Sequence, residues 1–440
     1  MRLHDNAGLF AALKGGNPVL PLFIFDRDIL DKLEDKDDPR VTFLQSRVNY
    51  LQEELKKIGV PMEIRYGKPL EVWNQLCEQY SIQKVYCNRD YEPYAKQRDK
   101  AVAKLLKVHS ASFHTRKDHV IFEVDEIEKK TGGTYTVFTP YSRTWKAKLD
   151  TKMSIDEAGK PVSFYFKAYP TEEYFSAFAK TSKTIRGTAV PSLKDMGFDE
   201  SSITLPTQDA DEAIIRKYDQ QRDFPAIEGT TKLGMHFRHG TVSIRQWARK
   251  AQRLNETYLS ELIWRDFYSQ VLQAFPQVVE KSFRPAYDAI PWVNNEDHFK
   301  KWCEGKTGYP LVDAGMRELN ATGHMHNRVR MVVASFLTKH LLTDWRWGES
   351  YFARKLLDFD LASNNGGWQW AAGTGTDAAP YFRVFNPESQ LKKFDKKLEY
   401  VMQWVPEYGT DAYPPPIVEH KWARQRALDT YKAALAEAKS

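Results

Sequence analysis

Asp358–Pro387, DFDLASNNGGWQWAAGTGTDAAPYFRVFNP, decides how the rest of the chain is read. It gathers Asp358, Asp360 and Asp377, the pairs Asn364–Asn365 and Gly366–Gly367, and Trp368 and Trp370 into one short segment. Ordinary core packing does not require that mixture. The run NNGG predicts a tight turn and close backbone approach, because glycine tolerates positive φ. Such a turn lets a bulky planar ligand reach the main chain, and WQW sets two large aromatics beside it. The competing reading is a Gly-rich loop that caps a helix, with two Trp in the core.

At 440 residues the chain is long enough for two or three domains of roughly 150 residues each. No apolar run approaches the ~20 residues that a membrane span needs, and the N-terminus has no continuous apolar signal core. Three cysteines, Cys77, Cys87 and Cys303, cannot build a disulfide framework, so reduced thiols and a cytoplasmic setting are expected. A net charge of +6 allows a nucleic-acid partner without requiring one. A large core, a planar cofactor or a base-stacking site could each absorb the 12 Trp.

Residues 1–125 alternate strands and helices. Val19–Phe25 is a continuous apolar run, as in a strand buried on both faces. Met62–Tyr66, Lys84–Cys87 and Val120–Phe122 are further strand candidates. Val41–Lys57, Leu70–Tyr80 and Ala95–Leu106 have helical spacing. The alternation predicts a parallel, helix-covered, doubly wound sheet, an α/β domain. Residues 126–210 are mixed and polar, a long linker with helix around Tyr141–Leu149. Residues 211–440 are all-α: Arg245–Leu254, Tyr258–Gln273, Pro310–Asn320, Asn327–Leu341, Glu349–Leu357 and Ala423–Lys439 fit a 3.6 period.

Several strings carry chemistry. In Gly229–Gly234, GTTKLG, backbone amides and the Thr230 and Thr231 hydroxyls can hold a pyrophosphate. In ELIWRDFY, Glu261 and Trp264 are three apart and share a helix face. His324-Met-His326 lacks a companion carboxylate–His motif, so no metal is expected.

Together these strings resemble the DNA photolyase/cryptochrome family, most closely the bacterial class I enzymes for cyclobutane pyrimidine dimers. The likeness runs from Arg2 to about His420. It implies an N-terminal antenna domain and a C-terminal helical domain that binds FAD, reduced in the active form. The family carries a strand before MRLHDNAGLF, so its apparent absence suggests that Met1 is an internal methionine or a trimmed start.

For the flavin, the resemblance implies contacts from Tyr218, Thr230, Thr231, Lys232, Leu233, Gly234, Tyr258, Arg265 and Asn327. It adds the Arg330–Asp358 ion pair, Asp360 at flavin N3 and Asn364 at N5. The phosphate loop usually reads T-S-x-L-S; Thr231 and Gly234 replace its serines. Trp368, Trp345 and Trp292 align with the family's electron-transfer chain. The lesion pocket would be Glu261, Trp264, Tyr268, Met331 and Trp370, with Arg222, Arg265, Asn327, Arg328, Arg383 and Gln390 toward DNA and Lys281 and Arg284 at the rim. His324 stands where the family usually has Trp. Glu92 lies where an antenna chromophore, methenyltetrahydrofolate or deazaflavin, is contacted, but the glutamate of folate binders falls at Ala95.

The expected activity is light-driven repair of these dimers by a monomer without membrane association, acting on DNA in the nucleoid. The alternative is a cryptochrome-type blue-light receptor.

Overall fold

The computed structural model describes residues 1–156 and 159–438. The chain forms two compact units: Met1–Glu123 with Lys148–Gln208 and His236–Lys250, and Val124–Ala147 with Asp209–Met235 and Ala251–Ser440.

In the first unit, β1 (Leu22–Asp26) pairs in parallel with β2 (Glu63–Gly67), and β3 (Lys84–Asn88) pairs in parallel with β4 (Ser112–Arg116). Each pair is joined by a helical crossover, as parallel strands require. The helix Pro39–Lys57 starts where Asp38 accepts from the Arg40 N–H, with proline at its first position. Its Val41, Val48, Leu51 and Leu55 pack with Phe25 and Ile64. Among the described residues the two pairs are separate two-stranded sheets.

The expected strand at Val120–Phe122 does not form. These residues are buried, at 1–3% exposure, on an irregular segment. The partner of β3 is instead SFHTR, in register Lys84 to Ser112. Burial alone marked the apolar trio, and burial does not distinguish a strand from a packed loop. Nearby, Asp118 accepts from Arg2 and Arg245, and Arg245 also pairs with Asp5. The buried charges are thus compensated.

The second unit is almost entirely helical around one large core that includes Trp302, Met316, Val333, Phe336, Trp345 and Trp368. Glu256–Ala274 opens on an Asn255 cap that accepts from the Thr257 and Tyr258 amides. The helix from Asn327 ends at Ser335 and widens into a π turn over Phe336–His340, where the sequence predicts one helix to Leu341. The C-terminal helix spans His420–Glu437; Lys439, its expected end, lies outside the described residues.

The NNGG run departs from expectation. Leu361–Ala372 is a continuous α-helix, and neither Gly366 nor Gly367 has positive φ. The close approach is real, but its occupant is a side chain. A Cβ on Gly366 would lie 2.2 Å from Tyr268 Cδ1. The left-handed residue is Gly373, φ 86°, which ends the helix.

Candidate functional site

The site is built on three helices of the second unit, Glu256–Ala274, Asn327–Ser335 and Leu361–Ala372, with the loop Gly229–Gly234. Arg330 Nη2 donates to both carboxylate oxygens of Asp358, at 3.0 and 3.1 Å, and Arg330 Nε donates to the Met325 carbonyl at 2.7 Å. Gly234 lies against this pair: a Cβ there would be 2.7 Å from Asp358 Oδ2 and 2.8 Å from its Cβ. The glycine in place of the family's usual serine leaves no side chain against the ion pair. In the same loop, Lys232 has φ +51° and Leu233 is buried. The Thr231 hydroxyl and the Tyr258 hydroxyl are 2.9 Å apart. Tyr258 packs edge-on to Tyr218, and burial pushes its phenol up to about 12.

Asn364 is buried. Its amide nitrogen donates to the Glu349 carbonyl at 3.0 Å and to Glu349 Oε1 at 2.9 Å. Its Oδ1 is left as an acceptor. Burial raises the Glu349 carboxyl, and the Asn364 hydrogen bond works against that shift. Asp360 is the cap of the same helix, accepting from the Ser363 N–H at 3.0 Å.

The tryptophans predicted to carry electrons differ in setting. Trp368 and Trp345 are buried, at 2% and 1% exposure, whereas Trp292 is only partly buried at the edge of the same core. Trp368 packs edge-on against Phe352 at 5.0 Å and Trp302 at 6.0 Å. Arg346 lies 4.7 Å from the Trp345 ring, and Trp292 meets Tyr431 edge-on at 5.9 Å.

On the helix Glu256–Ala274, Glu261, Trp264, Arg265 and Tyr268 are half-buried on one face, the i, i+3, i+4, i+7 stripe. Glu261 accepts from Arg222 Nη1. Burial raises the Glu261 carboxyl and the Arg222 guanidinium opposes that rise. One face of the Trp264 indole is taken by Phe138, stacked at 3.7 Å and 3°. A flat ligand could therefore use only the other face. Arg328 donates to Asp223 at 2.7 Å and to the Met331 sulfur at 3.8 Å. Trp370 is half-buried near Phe385, Gln390 is half-buried, and Asn327, Arg383, Lys281 and Arg284 are exposed.

His324 and His326 do not converge. His324 faces Glu318 at 3.3 Å, while His326 caps the helix Asn327–Ser335 through Nδ1. Burial pushes His326 down to about 4. Among the described residues no group of three or more His, Cys, Asp or Glu could hold a metal ion. Within the first unit, Glu92 pairs with Arg238 at 2.8 Å, and Ala95 is buried.

Phe138, Asp223 and Glu349 were not singled out in the sequence. Phe138 sits in a stretch read as linker, with no signal in its composition. Asp223 adjoins Arg222 in QQRDFP, a charge pair that reads as solvated surface. Glu349 stands fifteen residues before Asn364, and only the fold brings them together.

Comparison with known proteins places this geometry. Residues 1–161 match the family model "DNA photolyase", and residues 258–411 match "FAD binding domain of DNA photolyase". A deoxyribodipyrimidine photo-lyase of Synechococcus is 36% identical, over 99% of this chain and 96% of its own. The archaeal photolyase of Sulfolobus tokodaii, solved with two FAD molecules, superposes with a TM-score of 0.80 at 31% identity, covering 98% of this chain and 97% of its own. A Synechocystis cryptochrome shares the fold at a TM-score of 0.81 and 24% identity, covering 98% of this chain and 96% of its own. The chain belongs to the DNA photolyase family. Its cofactor is FAD, and the residues present suit that group: a guanidinium–carboxylate pair, an amide oxygen acceptor and a hydroxyl-bearing loop. No helix among the described residues is long and apolar enough to cross a membrane.

Proposed function

We propose that this protein repairs cyclobutane pyrimidine dimers in DNA under light. The orientation of Asn364 carries the reading. Its NH2 is committed to Glu349, so its oxygen is held as an acceptor, which suits a protonated, reduced flavin ring. Bound reduced FAD would supply, on excitation, the electron that opens the cyclobutane ring and would take it back, with no net redox change.

The chain's own residues then bind, orient and exclude water. Arg330 and Asp358 neutralise each other where either alone would be costly to bury. Glu261 reaches the carbonyl and imino edge of a flipped-out dimer, and the Trp264 face away from Phe138 and the ring of Trp370 stack on it, at ~1–3 kcal/mol per base. Arg222, Arg328, Arg383 and Gln390, with Lys281 and Arg284, hold phosphates, which gives salt-sensitive affinity without sequence readout. Trp368, Trp345 and Trp292 serve to re-reduce an oxidised flavin. Thr230, Thr231, Lys232, Leu233, Gly234, Tyr218, Tyr258, Arg265, Asn327 and Asp360 complete the cofactor contacts.

The test is direct. The reduced protein is mixed with oligothymidine bearing the dimers and illuminated with blue light, and dimer loss is measured. A light-driven spectral change without dimer loss favours the photoreceptor alternative. That alternative lacks support from Asn364 and from the intact Glu261, Trp264, Met331 and Trp370.

A further inference from the structure

Asp223 lies between two arginines that the reading above assigns to DNA. Arg328 Nη2 donates to Asp223 Oδ1 at 2.7 Å, and Arg222 Nε is 4.0 Å from the same oxygen. The far end of Arg222, Nη1, donates to Glu261. The four side chains form a line of alternating charge: Glu261, Arg222, Asp223, Arg328. Asp223 is the most exposed of them, at 39%, so it is the member a ligand can replace.

We propose that Asp223 holds the seat of a DNA phosphate between Arg222 and Arg328. A lesion strand that displaces it draws Arg222 off Glu261, which then takes up a proton from solution and meets the lesion as a neutral hydrogen-bond donor. This inference rests on the repair reading. Asp223 and Arg222 act here as positioning residues, through Glu261.

A phosphodiester offers two oxygens to a guanidinium fork much as a carboxylate does, so exchange at this seat keeps a hydrogen bond for Arg328 and offers Arg222 one in place of its bond to Glu261. Electrostatics then acts on Glu261. In the free protein Arg222 opposes the burial that raises Glu261. Once Arg222 turns to a phosphate, burial, the Asp223 carboxylate and the phosphate all favour the protonated acid.

Apart from the Asp223 carboxylate, the groups facing Glu261 supply no rival proton acceptor. Tyr218, on the helix before Arg222, and Tyr268, on the helix of Glu261 itself, are both pushed above the ordinary phenol value by burial and stay protonated. Arg328, on the neighbouring helix, donates to Asp223. His326 at that helix's cap is held neutral by burial.

The experiment is calorimetric titration of the FAD-loaded protein, in the dark at neutral pH, with oligothymidine carrying one dimer. It is repeated in two buffers of different ionisation enthalpy, and the difference reads protons exchanged. We expect uptake of a substantial fraction of one proton, lost in Glu261→Gln with flavin absorbance retained. Asp223→Asn should bind damaged and undamaged oligonucleotides several-fold more tightly, because the competing carboxylate is gone. No uptake, or equal uptake in Glu261→Gln, overturns the proton link. Unchanged or weaker binding by Asp223→Asn overturns the phosphate seat. Dimer loss under blue light, measured on the same preparation, reports separately on the repair reading.

Discussion

A Cβ on Gly366 would lie 2.2 Å from Tyr268 Cδ1, whereas one on the neighbouring Gly367 would meet nothing within 4 Å. Both glycines are inside one helix, where alanine is favoured by ~1 kcal/mol. At Gly366 the overlap must be relieved by moving an aromatic ring, which typically costs about 1–3 kcal/mol. Gly366→Ala should therefore destabilise the protein on balance. Gly367→Ala should stabilise it by about 0.5–1 kcal/mol. Chemical denaturation of the two variants measures both signs, and a neutral Gly366→Ala would mean that Tyr268 yields freely.

Those glycines also mark what the sequence could tell. Helical periodicity located Pro39–Lys57 and Glu256–Ala274 within two residues, because amphipathic spacing and caps are local signals. NNGG misled because glycine serves two needs, positive φ and close approach, and only tertiary packing says which applies. The strand at Ser112–Arg116 was hidden because its side chains are half-buried or exposed, so no apolar run marks it. Within the site, Arg330 and Asp358 were legible through the family's strings. The Phe138 stack on Trp264 and the Glu349 hold on Asn364 were not, since each joins segments far apart in the chain.

The loop residue Gly234 yields a prediction against the family pattern. Restoring the usual serine puts a Cβ 2.8 Å from the Asp358 Cβ, a contact that rotating a flexible tip cannot relieve. Gly234→Ser should push Asp358 off Arg330 and weaken retention of FAD. The flavin-to-protein absorbance ratio after gel filtration measures this. Full retention would show that the backbone shifts enough to admit the side chain.

Trp292 is the most exposed of the three aligned tryptophans, and on the proposed reading it would be the outlet of a hole passed from the core. Trp292→Phe should block light-driven reduction of oxidised flavin while leaving repair by chemically reduced protein intact. The two assays separate an electron-supply role from a structural one, because a packing defect would affect both. Equal photoreduction in the variant and the wild type would remove Trp292 from the path.

The buried His326 makes stability depend on pH. Its pKa falls from 6.5 to about 4 on folding, with burial the largest cause. The depressed value means that the unfolded chain binds the proton first. The stabilisation is therefore complete above pH 6.5 and is lost as pH falls through about 4. At ~1.4 kcal/mol per unit, the loss reaches about 3–4 kcal/mol. His326→Asn keeps an acceptor for the Arg328 N–H and is a favoured cap, but it cannot titrate. Its stability should match the wild type near neutrality within about 1 kcal/mol and fall less steeply toward about pH 4. The slope should be reduced rather than abolished, because His239 and His340 are likewise pushed down to about 3 by burial. Urea denaturation at several pH values gives the comparison, and parallel slopes in the two proteins would mean that His326 is already charged in the folded state.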